Sequence, residues 1–242
     1  MTIAGRFATA LAAVSDPDLA GPELLPVRLS LACAAVLAVD GAGLSTADAG
    51  GRRVPLGSSS AVASTAERMQ FTAGEGPCTT SQRTGRPVFA VEEDLRRSWP
   101  MFAELLLGGT PFRGVVALPL RPAPYGDGAL DLYVTRAAAV AELDVFTAVA
   151  VGELVTSALS DAAVWSSWSP AEGPGWLHGP APRRRAGVWE AIGTVGVALD
   201  IGPTEALALL RTDAYTAGRT VDEVAADLLA GRRPPEELRS VD

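Results

Sequence analysis

The sequence contains no lysine, so all twenty of its basic residues are arginine, a pattern that GC-rich codon use accounts for. It has one histidine, His178, and two cysteines, Cys33 and Cys78. Two separated cysteines and a lone histidine do not assemble a standard zinc ligand set. Any Ser–His–Asp or Cys–His relay would have to run through His178. Two distant cysteines also exclude a disulfide framework and fit a cytoplasmic setting. The nucleophile elbow G-x-S-x-G, the Walker A loop and the dinucleotide fingerprint G-x-G-x-x-G are all missing. No apolar run reaches the ~18 residues of a membrane span. Residues 1–12 hold one arginine and no long apolar core, so no signal peptide is expected. Taken together, these absences lead to the expectation of no enzyme, no metal, no cofactor and no membrane partner.

What is present is ordinary globular material. The 242 residues are 48% hydrophobic and 20% charged, enough to bury a real core. The formal net charge of −8 argues against broad coating of nucleic acid, which is driven by phosphate neutralisation. Split by region, residues 1–182 carry −6 and residues 183–242 carry −2, eight arginines against ten acids.

Residues 5–34 read as helix, broken at Asp16-Pro17 and Gly21-Pro22. Strands are expected over 36–44 and 53–56, then a helix over 61–70 with N-cap chemistry from residues 58–60. The turn at residues 74–78 leads into a short helix to Arg83, and residues 87–91 read as a strand. Glu92, Glu93 and Asp94 read as a solvated turn. Trp99-Pro100 opens a helix to about Leu107. Residues 114–120 and 129–134 alternate as an antiparallel hairpin, with Pro119 marking an edge or a bulge. Residues 141–163 form the longest helical candidate, apolar nearly all round, which calls for two burial surfaces. Three short helices close the chain, over 186–199, over 204–216, and from Thr220 until Pro234-Pro235. The expected fold class is α+β, an antiparallel sheet flanked by helices followed by a three-helix bundle. The expected domains are 1–164, a linker over 165–182, and 183–242.

Several residues fit more than one use. Cys78, at a helix start, suits a reactive thiol or a small buried residue under a tight turn. Glu75 between two glycines suits a ligand contact or a local cap. Trp165, Trp168 and Trp176 suit base stacking or docking on a domain surface. Arg183, Arg184, Arg185, Arg232 and Arg233 flank the three-helix region and suit phosphate contacts or solubilising charge.

Two stretches resemble known families. Residues 25–163 resemble a GAF sensor domain of the actinobacterial type. The matching segments are QFTAGEGPC from Gln70 to Cys78, Gly85 to Val88, Asp94-Leu95, Trp99-Pro100 with Phe102, Gly114 to Leu120, and Gly128 to Tyr133. Residues 184–232 resemble an ANTAR domain, a three-helix RNA-binding output module of antitermination regulators. Here the matches are Ala191, Gly193, Glu205-Ala206, Leu210-Arg211, Ala214, Val221 and Glu223 to Ala225. The second stretch departs from the pattern at Ile192, where a basic residue is usual, and at Ala198. The resemblance implies a homodimeric regulator whose sensor responds to a small molecule or partner and whose output holds hairpin loops in nascent transcripts. On that basis Arg183, Arg184, Arg185, Arg211 and Arg219 are the expected RNA contacts. Glu75, Cys78 and Trp99 are the expected ligand contacts.

Overall fold

The computed structural model describes residues 2–47, 52–121, 126–165 and 173–239. Two N-terminal helices, α1 (Ile3–Ala13) and α2 (Leu25–Leu37), are separated by two short 3-10 turns that begin at Pro17 and Pro22. Helix α2 runs into the region expected as a strand. Leu29, Cys33 and Leu37 recur at four-residue spacing and are buried, so the helical stripe continues past Val36. The helix ends on Ala38 in the left-handed region, φ 51°, and β1 (Gly41–Ala47) starts only after it.

Next come β2 (Arg53–Ser58), α3 (Ala61–Ala73), α4 (Pro77–Thr84) and β3 (Val88–Val91). The Ser60 hydroxyl accepts from Ala63 N–H at 3.1 Å and caps α3, as its position suggests. The acidic run is not a solvated turn but the first turn of α5 (Glu92–Ser98), where the helix dipole favours carboxylates. There the Val91 N–H donates to Asp94 at 3.3 Å. Helix α6 (Pro100–Gly109) leads into the hairpin of β4 (Gly114–Leu120) and β5 (Gly128–Val134).

The five strands form one antiparallel sheet in the order β2-β1-β5-β4-β3. Strand β3 begins at Val88 opposite Ala117, so the later residues of β4 have no β3 partner, and Pro119 there costs no ladder bond. Alternation gives the sheet two different faces. Leu44, Val116, Leu118, Leu130 and Leu132 point to one side and pack on α2 and on α8 (Val145–Trp165), which follows the short α7 (Ala139–Glu142). Val115 and Tyr133 point to the other, under α3 and α6.

Helix α8 buries Ala148, Val151, Val155, Leu159 and Ala163 on the sheet, whereas Phe146 and Val164 stay 82% and 74% exposed. Of the two burial surfaces expected for it, the sheet supplies one and the neighbouring helices α1 and α2 supply the other. By length and composition Val145–Val164 could cross a membrane, which sequence reading did not anticipate. Its inner stripe is instead part of the core beneath the sheet.

The segment expected as linker is partly ordered. A 3-10 turn at Gly175–His178 seats Trp176 in the sheet core, its indole N–H donating to the Leu159 carbonyl at 3.3 Å. Trp168 and the side chain of Trp165 lie outside the described residues. Helix α9 (Pro180–Leu199) begins six residues earlier than expected, with proline at its first position. The arginine triplet is therefore already helical. Helices α10 (Pro203–Thr216) and α11 (Val221–Leu229) complete the bundle, and a 3-10 turn at Pro235–Arg239 folds Leu238 back into its core. At the start of α11 the Thr220 N–H and hydroxyl both donate to Glu223, at 2.8 and 2.9 Å.

Candidate functional site

The sheet face under α3 carries charge where a core would carry methyl groups. On β5, Leu130, Leu132 and Val134 enter the apolar core while Asp131 and Tyr133 point to the opposite side. Helix α3 lays Glu67 and Gln70 over them, one turn apart on one helical face. Strand β2 sends in Arg53, and β1 adds Ser45. Glu67 at 4%, Gln70 at 1% and Asp131 at 1% are nearly inaccessible, and the Arg53 side chain is 11% exposed.

Their bonds close on one another. One Arg53 Nη donates to Glu67 at 2.8 Å and to Asp131 at 3.1 Å, and Nε donates to Ser45 Oγ at 3.3 Å. Gln70 Nε2 donates to Asp131 at 2.9 Å and to the Tyr133 hydroxyl at 3.2 Å. That hydroxyl donates in turn to Glu67 at 2.6 Å. Gln70 Oε1 accepts the Cys78 backbone N–H at 3.0 Å, tying α4 to the cluster. Two glycines leave the room. A Cβ at Gly43 would stand 2.5 Å from Glu67 Oε1, and one at Gly76, φ 150°, would stand 2.4 Å from Gln70 Oε1.

Two carboxylates share one guanidinium here. Burial and then the neighbouring Glu67 hold the Asp131 carboxyl well above the usual carboxylate range, with Arg53 opposing. Burial and Glu67 likewise raise Tyr133. Burial alone would lower Arg53, but Cys78, Glu67 and Asp131 outweigh it and hold the guanidinium above its ordinary value. Two atoms of the set remain without a hydrogen bond although buried, Arg53 Nη1 and Asp131 Oδ1.

The C-terminal bundle docks against the same helix. Phe71, the residue after Gln70, inserts into the bundle core. The Arg185 guanidinium lies 3.5 Å from the Phe71 ring centre, donates to the Arg53 carbonyl at 3.3 Å and pairs with Asp222 at 3.2 Å. Arg211 Nε donates to the Phe71 carbonyl at 3.1 Å, and the Val221 N–H donates to the Thr72 hydroxyl at 3.0 Å. Trp189 meets Phe71 edge-on, ring centres 5.9 Å apart.

The expected ligand contacts divide. Cys78 does join the cluster, its Sγ 3.5 Å from Ser45 Oγ, but burial raises its thiol well above the ordinary value. It is a protonated, buried residue, not an activated thiolate at a helix start. Glu75 is a cap, accepting the Met101 N–H at 2.9 Å. Trp99 packs on the core around Phe102. The expected RNA contacts divide too. Arg183 and Arg184 are exposed on α9. Arg185 is 1% exposed, so its charge is spent on Asp222 and Phe71 and not on a surface phosphate. Arg211 is half-buried between the units, and Arg219 pairs with Asp227 at 2.7 Å. Beyond the triplet, Arg232 and Arg233 pair with Asp227 and Asp213.

Sequence reading did not name Arg53, Glu67, Asp131 or Phe71 as site residues. A signal existed for Asp131, a lone charge in a strand where Leu130, Leu132 and Val134 alternate.

No protein-family profile and no curated protein matches this chain. Solved structures give distant likenesses. One is the GAF domain of an Acinetobacter phosphoenolpyruvate-protein phosphotransferase, 9% identical, covering 68% of this chain and 98% of that one, TM-score 0.44. A second is the GAF domain of the corresponding Coxiella burnetii protein, 16% identical, covering 67% and 99%, TM-score 0.40. A third is Escherichia coli SdiA, 13% identical, covering 81% and 85%, TM-score 0.37.

Proposed function

We propose that this chain is a signal-responsive regulator, its α+β unit a GAF-type sensor of a small molecule or partner. In this reading the three-helix unit is an ANTAR-type output that binds hairpin loops in nascent RNA. The observation that carries the coupling is helix α3. Its Glu67 and Gln70 belong to the buried charged cluster, while the next turn, Phe71 and Thr72, is gripped by Arg185, Arg211 and Val221 of the bundle. A change in the cluster that moves α3 must move the seam between the units. The reading includes a cytoplasmic setting and a homodimer, for which the outer face of α8 with Phe146 is the available apolar surface. It assigns binding, not turnover, to the chain.

Exposed Arg183 and Arg184 are the first phosphate contacts in this reading, and Arg219 lies near the bundle's rim. A second reading keeps the dimeric signalling module but gives it weak RNA binding or none. It is favoured by the internal use of Arg185 and by Ile192, which is 5% exposed and part of the bundle core. The test is binding of two-hairpin leader RNAs by the full chain over a range of salt. Under the first reading, Arg183→Ala with Arg184→Ala lowers the slope of log affinity on log salt by about 1–2. Absence of salt-dependent binding by the unmodified chain selects the second.

A further inference from the structure

A cavity of about 560 Å³ opens where the two units meet, within the size range of small-molecule sites. Each unit supplies part of the wall. Phe71 comes from α3, and Trp189, Ile192 and Leu207 come from α9 and α10. These give it an apolar lining with two aromatic rings set edge to face. The charged residues in its lining are all arginine, Arg52, Arg53 and Arg211, and Arg52 lies over the Trp189 ring at 5.3 Å. Arg53 is already paired with Glu67 and Asp131, and its Nη1 is buried with no hydrogen-bond partner. Arg211 has the Phe71 carbonyl as its hydrogen-bond partner and, among the described residues, no ion pair. Burial lowers the Arg211 guanidinium below its ordinary value, as expected for a partly desolvated cation without a counter-charge. Among the described residues, no aspartate or glutamate lines the cavity.

We propose that this cavity binds a small organic anion with a flat apolar body, its charged end on Arg211 and its ring against Phe71 and Trp189. Guanidinium forks recognise carboxylates by charge-assisted hydrogen bonds, and aromatic walls recognise a ring. The proposal deepens the sensor half of the function above and does not depend on RNA binding. Because the seat is built from both units, its occupancy depends on how they dock. An anion that prefers the docked arrangement holds the seam closed.

The probes are naphthalene-2-carboxylate and 4-phenylbutyrate, titrated into the full chain by calorimetry, with naphthalene-2-carboxamide as the neutral counterpart. At Gly193, in the cavity wall, an added Cβ would meet no atom within 4 Å, so Gly193→Leu fills the space without removing a contact. Arg211→Gln removes the charge. The expected result is binding of at least one anion below about 1 mM, tenfold weaker for the carboxamide and tenfold weaker in each variant. An unchanged unfolding transition of Gly193→Leu shows that the loss is not a loss of fold. Three results would each overturn the proposal: no heat from either anion at several times that concentration, equal affinity for the carboxamide, or undiminished binding by Gly193→Leu. RNA binding is read separately in the same preparations, so a failure of the RNA reading leaves these results untouched, and the reverse holds too.

Discussion

The two faces of the central sheet are built from the same strands, yet they follow opposite rules. The face toward α2 and α8 is leucine and valine packed on leucine and valine. The face toward α3 holds one arginine, two carboxylates, a tyrosine and a glutamine in one bonded set. An apolar face is forgiving, because any side chain of similar volume restores most of its energy. A buried charged face is not, because each group relies on a particular partner in a particular place. The first face holds the fold together. Moving one member of the second leaves another unpaired, and under the proposed function α3 carries such a change to the C-terminal bundle.

The largest contrast comes from deleting one key residue on each face. Leu132→Ala should cost about 2–5 kcal/mol in urea unfolding, the usual range for a core leucine. Arg53→Met should cost about 3–5 kcal/mol, because Glu67 and Asp131 then share a buried space with no cation. The two differ in pH dependence. Lowering the pH lets the Asp131 carboxyl, held above its ordinary value, take up a proton, so the Arg53→Met deficit shrinks while that of Leu132→Ala stays constant. A pH-independent Arg53→Met deficit would mean that the cluster is held by packing and not by charge.

Asp131→Asn sharpens the same point. The folded state holds the Asp131 carboxyl above its unfolded value near 3.9. Stability from this group is therefore fully present below about pH 4 and is lost as pH rises through the raised folded value. Relative to Asp131→Asn, the unmodified chain should lose up to about 1.4 kcal/mol per pH unit within that window and nothing below it. The comparison must be made as this difference, because Glu223 and Asp227 are shifted the other way by their hydrogen bonds to Thr220, Arg219 and Arg232, although burial works against that at Glu223. A flat difference curve from pH 4 to 8 would return Asp131 to the status of an ordinary paired carboxylate.

Much of the apolar face was legible in the sequence. Leu130, Leu132 and Val134 alternate, the hairpin pairs in the expected sense, and the three C-terminal helices stand within a few residues of their expected spans, apart from the early start of α9. Periodicity is a local signal, and apolar burial is a local consequence of it. The charged face was not legible, because its members come from β1, β2, α3 and β5, and only the fold brings Arg53 within 3.1 Å of Asp131, 78 positions away. The same limit explains the arginine triplet. Three adjacent arginines read alike in sequence, but on a helix they point in different directions, and Arg185 alone turns inward to Asp222. The acidic start of α5 was misread for a different reason, since charge density was weighed without the dipole that rewards it.

The two cysteines offer the finest comparison, one for each face. Both are fully buried, and burial pushes the Cys33 thiol up to about 12. Cys33 sits among leucines and valines of the apolar core, whereas Cys78 has Ser45 Oγ at 3.5 Å and Arg53 nearby. Cys→Ser exchanges a weak donor for a strong one at nearly constant shape, so its cost measures whether a partner is waiting. Cys33→Ser should lose about 1–3 kcal/mol, the cost of burying a hydroxyl among apolar side chains with only a carbonyl of its own helix in reach, as Ser30 has in Pro26. Cys78→Ser should lose under about 1 kcal/mol, because the Ser45 hydroxyl can bond it. Equal losses would show that the polar character of the second face stops short of Cys78. The cluster would then end at Ser45 and Gln70, and α4 would be tied to it only through the Cys78 backbone N–H that Gln70 accepts.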